Sequence, residues 1–395
     1  MSVFDALIGQ DHAVEQFQRA ATDAKRVALG ERGDAMSHAW LVTGPPGSGR
    51  STLALAFAAA LVCPQGGCGA CATCHSVLAG VHPDVEHVIP EGVVYTTDDA
   101  DQLVERAAMA PRQSAWHVIV VEDFDRFHVD AVPKLLKAIE EPPAQTVWLL
   151  CAPTPDDVLP TIRSRCRQVH LTSPTVDQVA DQVHERFGID AKLAAFAARA
   201  AQGHIGRARA LATDSEVRAR REQLLAIPAN LRNVSTCFEA AAALVETVAA
   251  DVEAQAAPLE QADEANVRIA LGDGTEGVKS VQRMIKRELS QAEKRFKARR
   301  RRLTSDQYDR ALLDLTGFYR DVLVVQTGSG VPLINEELRA SIEQVAMMGD
   351  TTATLARIDA IRETRDHLLA NVAPLAAFES LFVALRDTSV LVARR

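Results

Sequence analysis

The sequence predicts an α/β protein built on a parallel sheet with a phosphate-binding loop, continued by helical domains. Three observations carry this. The stretch "LVTGPPGSGRST" sets G-x-x-x-x-G, a cation and a hydroxyl between a β-rich run and an alanine-rich helix. There, backbone N–H groups and a helix N-terminus cradle phosphate. From residue 39 to 169 the runs "AWLVTG", "WHVIVVED", "TVWLLCAP" and "RQVHL" alternate with helical stretches at 51–62 and 129–140, the rhythm of a parallel sheet with crossover helices. After Leu171 the composition turns alanine-rich with helical apolar spacing.

A chain of 395 residues exceeds what one hydrophobic core organises, so two or three domains are expected. Net charge -9 and a pI near 5.7 exclude a uniformly basic surface, which leaves nucleic-acid contact to a local patch. "MSVFDALIGQ" carries Asp5 and no basic-then-apolar leader, and no run is long enough to span a bilayer; a cytoplasmic protein is expected. Seven cysteines, four of them between Cys63 and Cys74, argue against a disulfide framework in a reducing compartment.

The sheet domain is expected over 1–172, with a cysteine module at 63–74. Ser173 and Pro174 break the chain, and "TVDQVADQVHERFG" with "AKLAAFAARAAQGHIGRARALA" forms a small helical module over 173–217. A third, helical domain covers 218–395. In it Leu312, Leu315, Phe318, Val322 and Val325, then Leu375, Phe378, Leu381, Phe382 and Leu385, recur at helix-face spacing. The acidic, glycine-bearing stretch at 255–277 reads as a mobile insertion.

The candidate phosphate loop comprises Gly44, Gly47, Gly49, Arg50, Ser51 and Thr52. Arg50 stands where such loops carry lysine, and its bulkier, forked head alters the contact to the β- and γ-phosphates. The acidic half of the site is Glu122 and Asp123, closing "HVIVVED". Their order is exchanged relative to the usual magnesium-binding Asp followed by a water-orienting Glu. Magnesium demands nearly octahedral geometry, so both departures weigh against efficient hydrolysis, while ATP with Mg²⁺ as a bound ligand is left open.

Cys63, Cys68, Cys71 and Cys74 form a C-x4-C-x2-C-x2-C array among glycines. Four thiolates this close suit a structural, tetrahedral zinc ion rather than unligated thiols or an iron-sulfur centre. His75 is read as a surface residue, and Cys151, Cys166 and Cys237 as small buried hydrophobes. The basic run at 286–302, "KRELSQAEKRFKARRRR", offers only Phe296 as an aromatic. It reads as a solvated face, or as a sequence-independent contact to DNA phosphate.

Several stretches together resemble the bacterial clamp-loader branch of the AAA+ ATPases: "FDALIGQ" at 4–10, "GVHPD" after the cysteine knuckle, "LLKAIEEPP" at 135–143, and "LPTIRSRCRQVHL" with Ser164, Arg165 and Cys166. The match spans roughly residues 1–215. It implies an AAA+ domain with an inserted zinc knuckle, a helical lid and a helical oligomerising collar, with Ile8 in the nucleotide-pocket segment. The chain departs from the branch's gamma/tau motor: Ala152 and Pro153 occupy the strand sensor, and the lid arginine position falls on Gly206, with Arg207 one place late. The intact Ser-Arg-Cys motif fits the stator-like delta-prime kind of subunit, itself a weak or inactive ATPase, with Arg165 as a finger reaching a neighbour's ATP; Arg163 and Arg167 are decoys. Gamma/tau and delta subunits are the implied partners in a polymerase III hetero-oligomer that seats the sliding clamp on primed DNA. The alternatives are an autonomous AAA+ ATPase, either motor-like or a helicase loader, and a zinc-knuckle nucleic-acid adaptor.

Overall fold

A computed structural model describes residues 2–90, 92–270 and 279–387. These fall into two compact units that meet in sequence between Thr213 and Asp214.

The first unit begins with α1 (Asp11–Ala28), β1 (Ala39–Thr43), α2 (Arg50–Val62) and α3 (Ala72–Leu78). It continues with β2 (Val85–Val88), α4 (Thr97–Ala107), β3 (His117–Val121), α5 (Val132–Glu140), β4 (Thr146–Ala152), α6 (Pro160–Arg163) and β5 (Arg167–His170). Three further helices, α7 (Val176–Phe187), α8 (Ala191–Ala201) and α9 (Ile205–Thr213), close it. The five strands form one sheet in the order β2-β3-β4-β1-β5, every pairing parallel. This is the parallel-sheet, phosphate-loop fold expected of an AAA+ domain. Both sheet faces are covered, which explains why β1, β3 and β4 are buried at every position and apolar nearly throughout.

Alternate side chains part to the two faces. Trp40, Val118, Val120, Val147 and Leu149 join α1 and α2 in one core, where Phe17, Trp40 and Phe57 interlock. Leu41, Ile119, Val121, Trp148 and Leu150 join α4 and α5 in the other. β2 has no separate signal in the sequence, because only Val85 among its four residues is buried. Helix α5 starts at Val132, later than expected, with Pro133 in its first turn, where proline's missing N–H costs nothing.

The second unit is all-helical: α10 (Ser215–Asn230), α11 (Val234–Ala270), α12 (Lys279–Thr327), α13 (Arg339–Ala346), α14 (Thr351–Leu369) and α15 (Pro374–Arg386). Leu312, Leu315, Phe318, Val322, Phe378, Leu381, Phe382 and Leu385 are buried in its core, with Val325 packed against it. Leu375 belongs to the expected stripe by spacing, yet stands exposed in the first turn of α15, where proline opens the helix. Arg221 is buried against Asp314 at 3.0 Å.

Two boundaries differ from expectation. The helical module ends at Thr213 rather than 217, because Asp214 caps α10 by accepting from the Glu216 and Val217 amides and opens a new helix. Residues 255–270, read as part of an insertion, continue α11 through Pro258. Alanine, glutamate and glutamine there favour helix, and Arg300 of α12 binds Glu260 at 2.7 Å and also Glu253. Residues 271–278 of that stretch lie outside the described residues.

Candidate functional site

The phosphate loop joins β1 to α2, and its backbone is held open by glycine. Gly47 and Gly49 have φ of +83° and +95°, the left-handed region that glycine tolerates. Gly47 has no room for a side chain in any case. A Cβ there would lie 2.4 Å from His204 Cγ and 2.5 Å from His204 Cα, so the residue that opens α9 rests directly on the loop. His204 Nδ1 accepts from the Arg207 amide at 3.2 Å and thereby caps that helix.

A cavity of about 510 Å³ lies over the loop, lined among others by Leu7, Arg50, Glu122, Arg186, His204 and Arg209. Gly47, Gly49, Arg50, Ser51 and Thr52 line it as the sequence suggested, whereas Gly44 and Ile8 do not; Ala6 and Leu7 take the place given to Ile8. Gly44 closes the turn at the end of β1, its amide donating to Pro153 O at 3.0 Å.

Arg50 is 13 % exposed and lies 3.9 Å from Asp123, and its Nη1 is buried with no hydrogen-bond partner among the described residues. Asp123 also meets Arg126 at 3.6 Å and sits at φ +46°. Glu122 is gripped from β2, where His87 Nε2 donates to its Oε1 at 2.6 Å, and the Tyr95 hydroxyl donates to its carbonyl at 2.8 Å. Asp125 nearby is raised above the usual carboxylate range, chiefly by burial.

Arg186 and Arg209 lie over the ring of Phe187, at 6.0 and 5.1 Å. Neither was singled out in the sequence. The family resemblance puts the lid position at Gly206, with Arg207 one place late, whereas helix α9 brings Arg209 to the cavity one turn after Ile205, and Arg186 comes from α7.

The four cysteine sulfurs lie within 4.8 Å of one another, with Cys63 Sγ 3.7 Å from Cys71 Sγ and 4.0 Å from Cys68 Sγ. A tetrahedron of sulfurs about 2.3 Å from a zinc ion has edges of about 3.8 Å, so the donor set fits such an ion. Local structure assembles it: Cys63 ends α2, Cys71 caps α3 by accepting from the Cys74 amide, and Gly66, Gly67 and Gly69 take positive φ between them. Burial would push the Cys63 thiol up, but amides of Cys68, Gly67 and Gln65 outweigh it and bring it to about 6, while burial pushes Cys74 up. His75 is engaged elsewhere, its Nε2 donating to Gly69 O at 3.2 Å. Cys151, Cys166 and Cys237 are all buried, and burial pushes the Cys166 thiol up to about 12.

The three arginines of "TIRSRCR" separate by their partners. Arg163 bonds Asp156 at 2.5 Å and Pro155 O at 3.3 Å. Arg167 bonds Ala35 O at 2.8 Å and covers the Trp40 ring. Arg165, 36 % exposed, pairs with Glu140 of α5 at 2.8 Å and donates to Thr161 O at 2.8 Å. Of the basic run, Arg300 is consumed by Glu253 and Glu260, whereas Lys294, Lys297 and Arg301 are exposed. No described helix is long and apolar enough to cross a membrane.

Residues 13–175 match the family described as DNA polymerase III, delta subunit. The delta' subunit of Pseudomonas aeruginosa is 37% identical over 138 residues, 33% of this chain and 42% of that protein. The delta' subunit of Escherichia coli is 36% identical over 153 residues, 36% of this chain and 44% of that protein. The gamma/tau subunit of Mycobacterium bovis is 32% identical over 167 residues, 41% of this chain and 27% of that protein. The matched segments thus span less than half the length of these relatives. Among solved structures, a gamma subunit-related protein of Thermotoga maritima aligns over 93% of this chain and 99% of that one, at 15% identity and a TM-score of 0.42. Residues 13–175 of the chain are thus similar to the delta' and gamma/tau subunits of DNA polymerase III.

Proposed function

We propose that the chain is a delta-prime-like, stator subunit of a polymerase III clamp loader, which helps seat a sliding clamp on primed DNA within a complex of gamma/tau and delta subunits. The observation that carries the reading is the contrast between its two nucleotide-facing elements. The acids at its own loop are engaged by neighbours, Glu122 by His87 and Asp123 by Arg50 and Arg126. Arg165, in contrast, is part-exposed and, among the described residues, tethered only to Glu140 and to the Thr161 and Ser164 oxygens of its own turn. An arginine so placed can be extended into a neighbouring subunit's site, where a guanidinium stabilises charge developing on a transferred phosphoryl group. The four cysteines would hold one zinc ion in a structural role, residues 173–213 would serve as the lid, and the second unit would form the oligomerising collar.

The test is reconstitution. The full chain, mixed with gamma/tau and delta subunits of the same organism, should co-elute with them and be required for clamp loading on primed DNA. A complex that forms and loads clamps equally well without it would overturn the reading.

A further inference from the structure

The cavity over the phosphate loop departs from the magnesium-nucleotide site that its fold implies, and the departure is systematic. Magnesium is held by open carboxylate oxygens and waters in octahedral array, with bonds near 2.0–2.1 Å. Here Glu122 Oε1 already accepts from His87 Nε2 at 2.6 Å. Asp123 lies between two guanidinium groups, Arg50 at 3.9 Å and Arg126 at 3.6 Å, and is not part of the cavity lining. The residues present do not fit a magnesium ion.

The same cavity gathers positive charge from three elements: Arg50 from the start of α2, Arg186 from the end of α7 and Arg209 from α9. Arg186 and Arg209 rest on the Phe187 ring and have no carboxylate partner among the described residues. Arg50 Nη1 is a buried donor with nothing to donate to there, a state that costs free energy until an acceptor arrives. Ala6, Leu7 and Ile205 add apolar surface to the same lining. About 510 Å³ is within the range of small-ligand sites.

We propose that this cavity binds a nucleotide by its phosphate tail without a divalent metal, Arg50, Arg186 and Arg209 supplying the positive charge that magnesium supplies elsewhere. Guanidinium groups match phosphate oxygens in fork geometry, and the apolar surface takes the base or ribose. Because magnesium neutralises part of the tail's charge, added Mg²⁺ should weaken binding rather than enable it. The proposal is independent of the stator role, since nothing in trans-acting Arg165 requires an occupied loop.

The test is titration of the isolated full chain with ATP, ADP and inorganic pyrophosphate by calorimetry, in EDTA and again in excess Mg²⁺. ATP and ADP should bind in EDTA at least as tightly as in Mg²⁺. Arg209→Ala and Arg186→Ala, both at exposed positions and checked for an unchanged melting transition, should each weaken ATP binding in EDTA by about tenfold or more, as for loss of a charge-assisted hydrogen bond. Binding seen only with Mg²⁺, no binding of ATP or ADP at millimolar concentration in either buffer, or indifference to both arginine variants would each overturn the proposal. Pyrophosphate binding as tightly as ADP would overturn the nucleotide assignment.

Discussion

His87 Nε2 donates to Glu122 Oε1 across 2.6 Å, so a side chain of β2 holds the first acid of the strand end that should serve the phosphate loop. Together with Arg50 beside Asp123, it leaves the loop's shape in place while its acidic half is tied to neighbours.

The isolated chain is therefore expected to turn over ATP far below about 1 per second, the low end of ordinary enzyme rates. Arg50→Lys alone should not restore turnover, because Glu122 stays bound to His87. A coupled phosphate-release assay checks both; a rate near 1 per second, lost in Arg50→Ala, would contradict the stator reading.

In a reconstituted loader, Arg165→Ala should assemble normally and reduce clamp- and DNA-stimulated hydrolysis. A trans arginine contributes about 10³ to 10⁵ at the site it serves, but the whole complex should show a smaller drop because other motor sites keep working. Arg163→Ala and Arg167→Ala should change hydrolysis much less, since their guanidinium groups are spent on Asp156 and on the Ala35 carbonyl. Steady-state hydrolysis of the four complexes decides.

Freshly purified protein should carry one zinc ion per chain by elemental analysis. Cys71→Ser should release it and lower stability by more than about 2 kcal/mol, because a closed four-sulfur site contributes folding energy and activates no water. Full zinc content with an unchanged denaturation midpoint in that variant would remove Cys71 from the donor set.

Asp84, buried in the "GVHPD" stretch, accepts from the amides of Arg112, Gln113 and Ser114 at 2.5, 2.8 and 2.7 Å. Burial would raise its carboxyl, but these donors outweigh it and hold it below the usual carboxylate range. The stabilisation is thus complete above the unfolded value of about 3.9 and lost as pH falls below that through the lower folded value. Asp84→Asn should cost about 2–4 kcal/mol at pH 7, and the gap to the parent protein should narrow below about pH 4 in denaturant titrations.

Gly47→Ala should destabilise the first unit by about 2 kcal/mol or more, from left-handed backbone strain and from collision with His204. Gly80→Ala is the control, because Gly80 shares a positive φ of +73° but has nothing within 4 Å of an added Cβ. A thermal shift for Gly47→Ala no larger than for Gly80→Ala would remove the His204 contact as a cause.

The sequence by itself determined what depends on spacing along the chain. The phosphate loop between β1 and α2, the β3 acids, the cysteine array and four of the five strands were legible because each is set by short-range pattern: glycine offsets, apolar runs with both faces buried, ligand spacing. Tertiary structure decided what depends on residues far apart. His87 reaches Glu122 across 35 positions and Arg50 reaches Asp123 across 73, and no periodicity links either pair. Arg186 and Arg209 come to the loop's cavity from α7 and α9, and Ala6 and Leu7, not Ile8, line that cavity. Residues 255–270 read as an interruption from composition, yet Glu253 and Glu260 are held by Arg300 from a separate helix, and that long-range pairing, together with local helix propensity, accompanies a continuous α11.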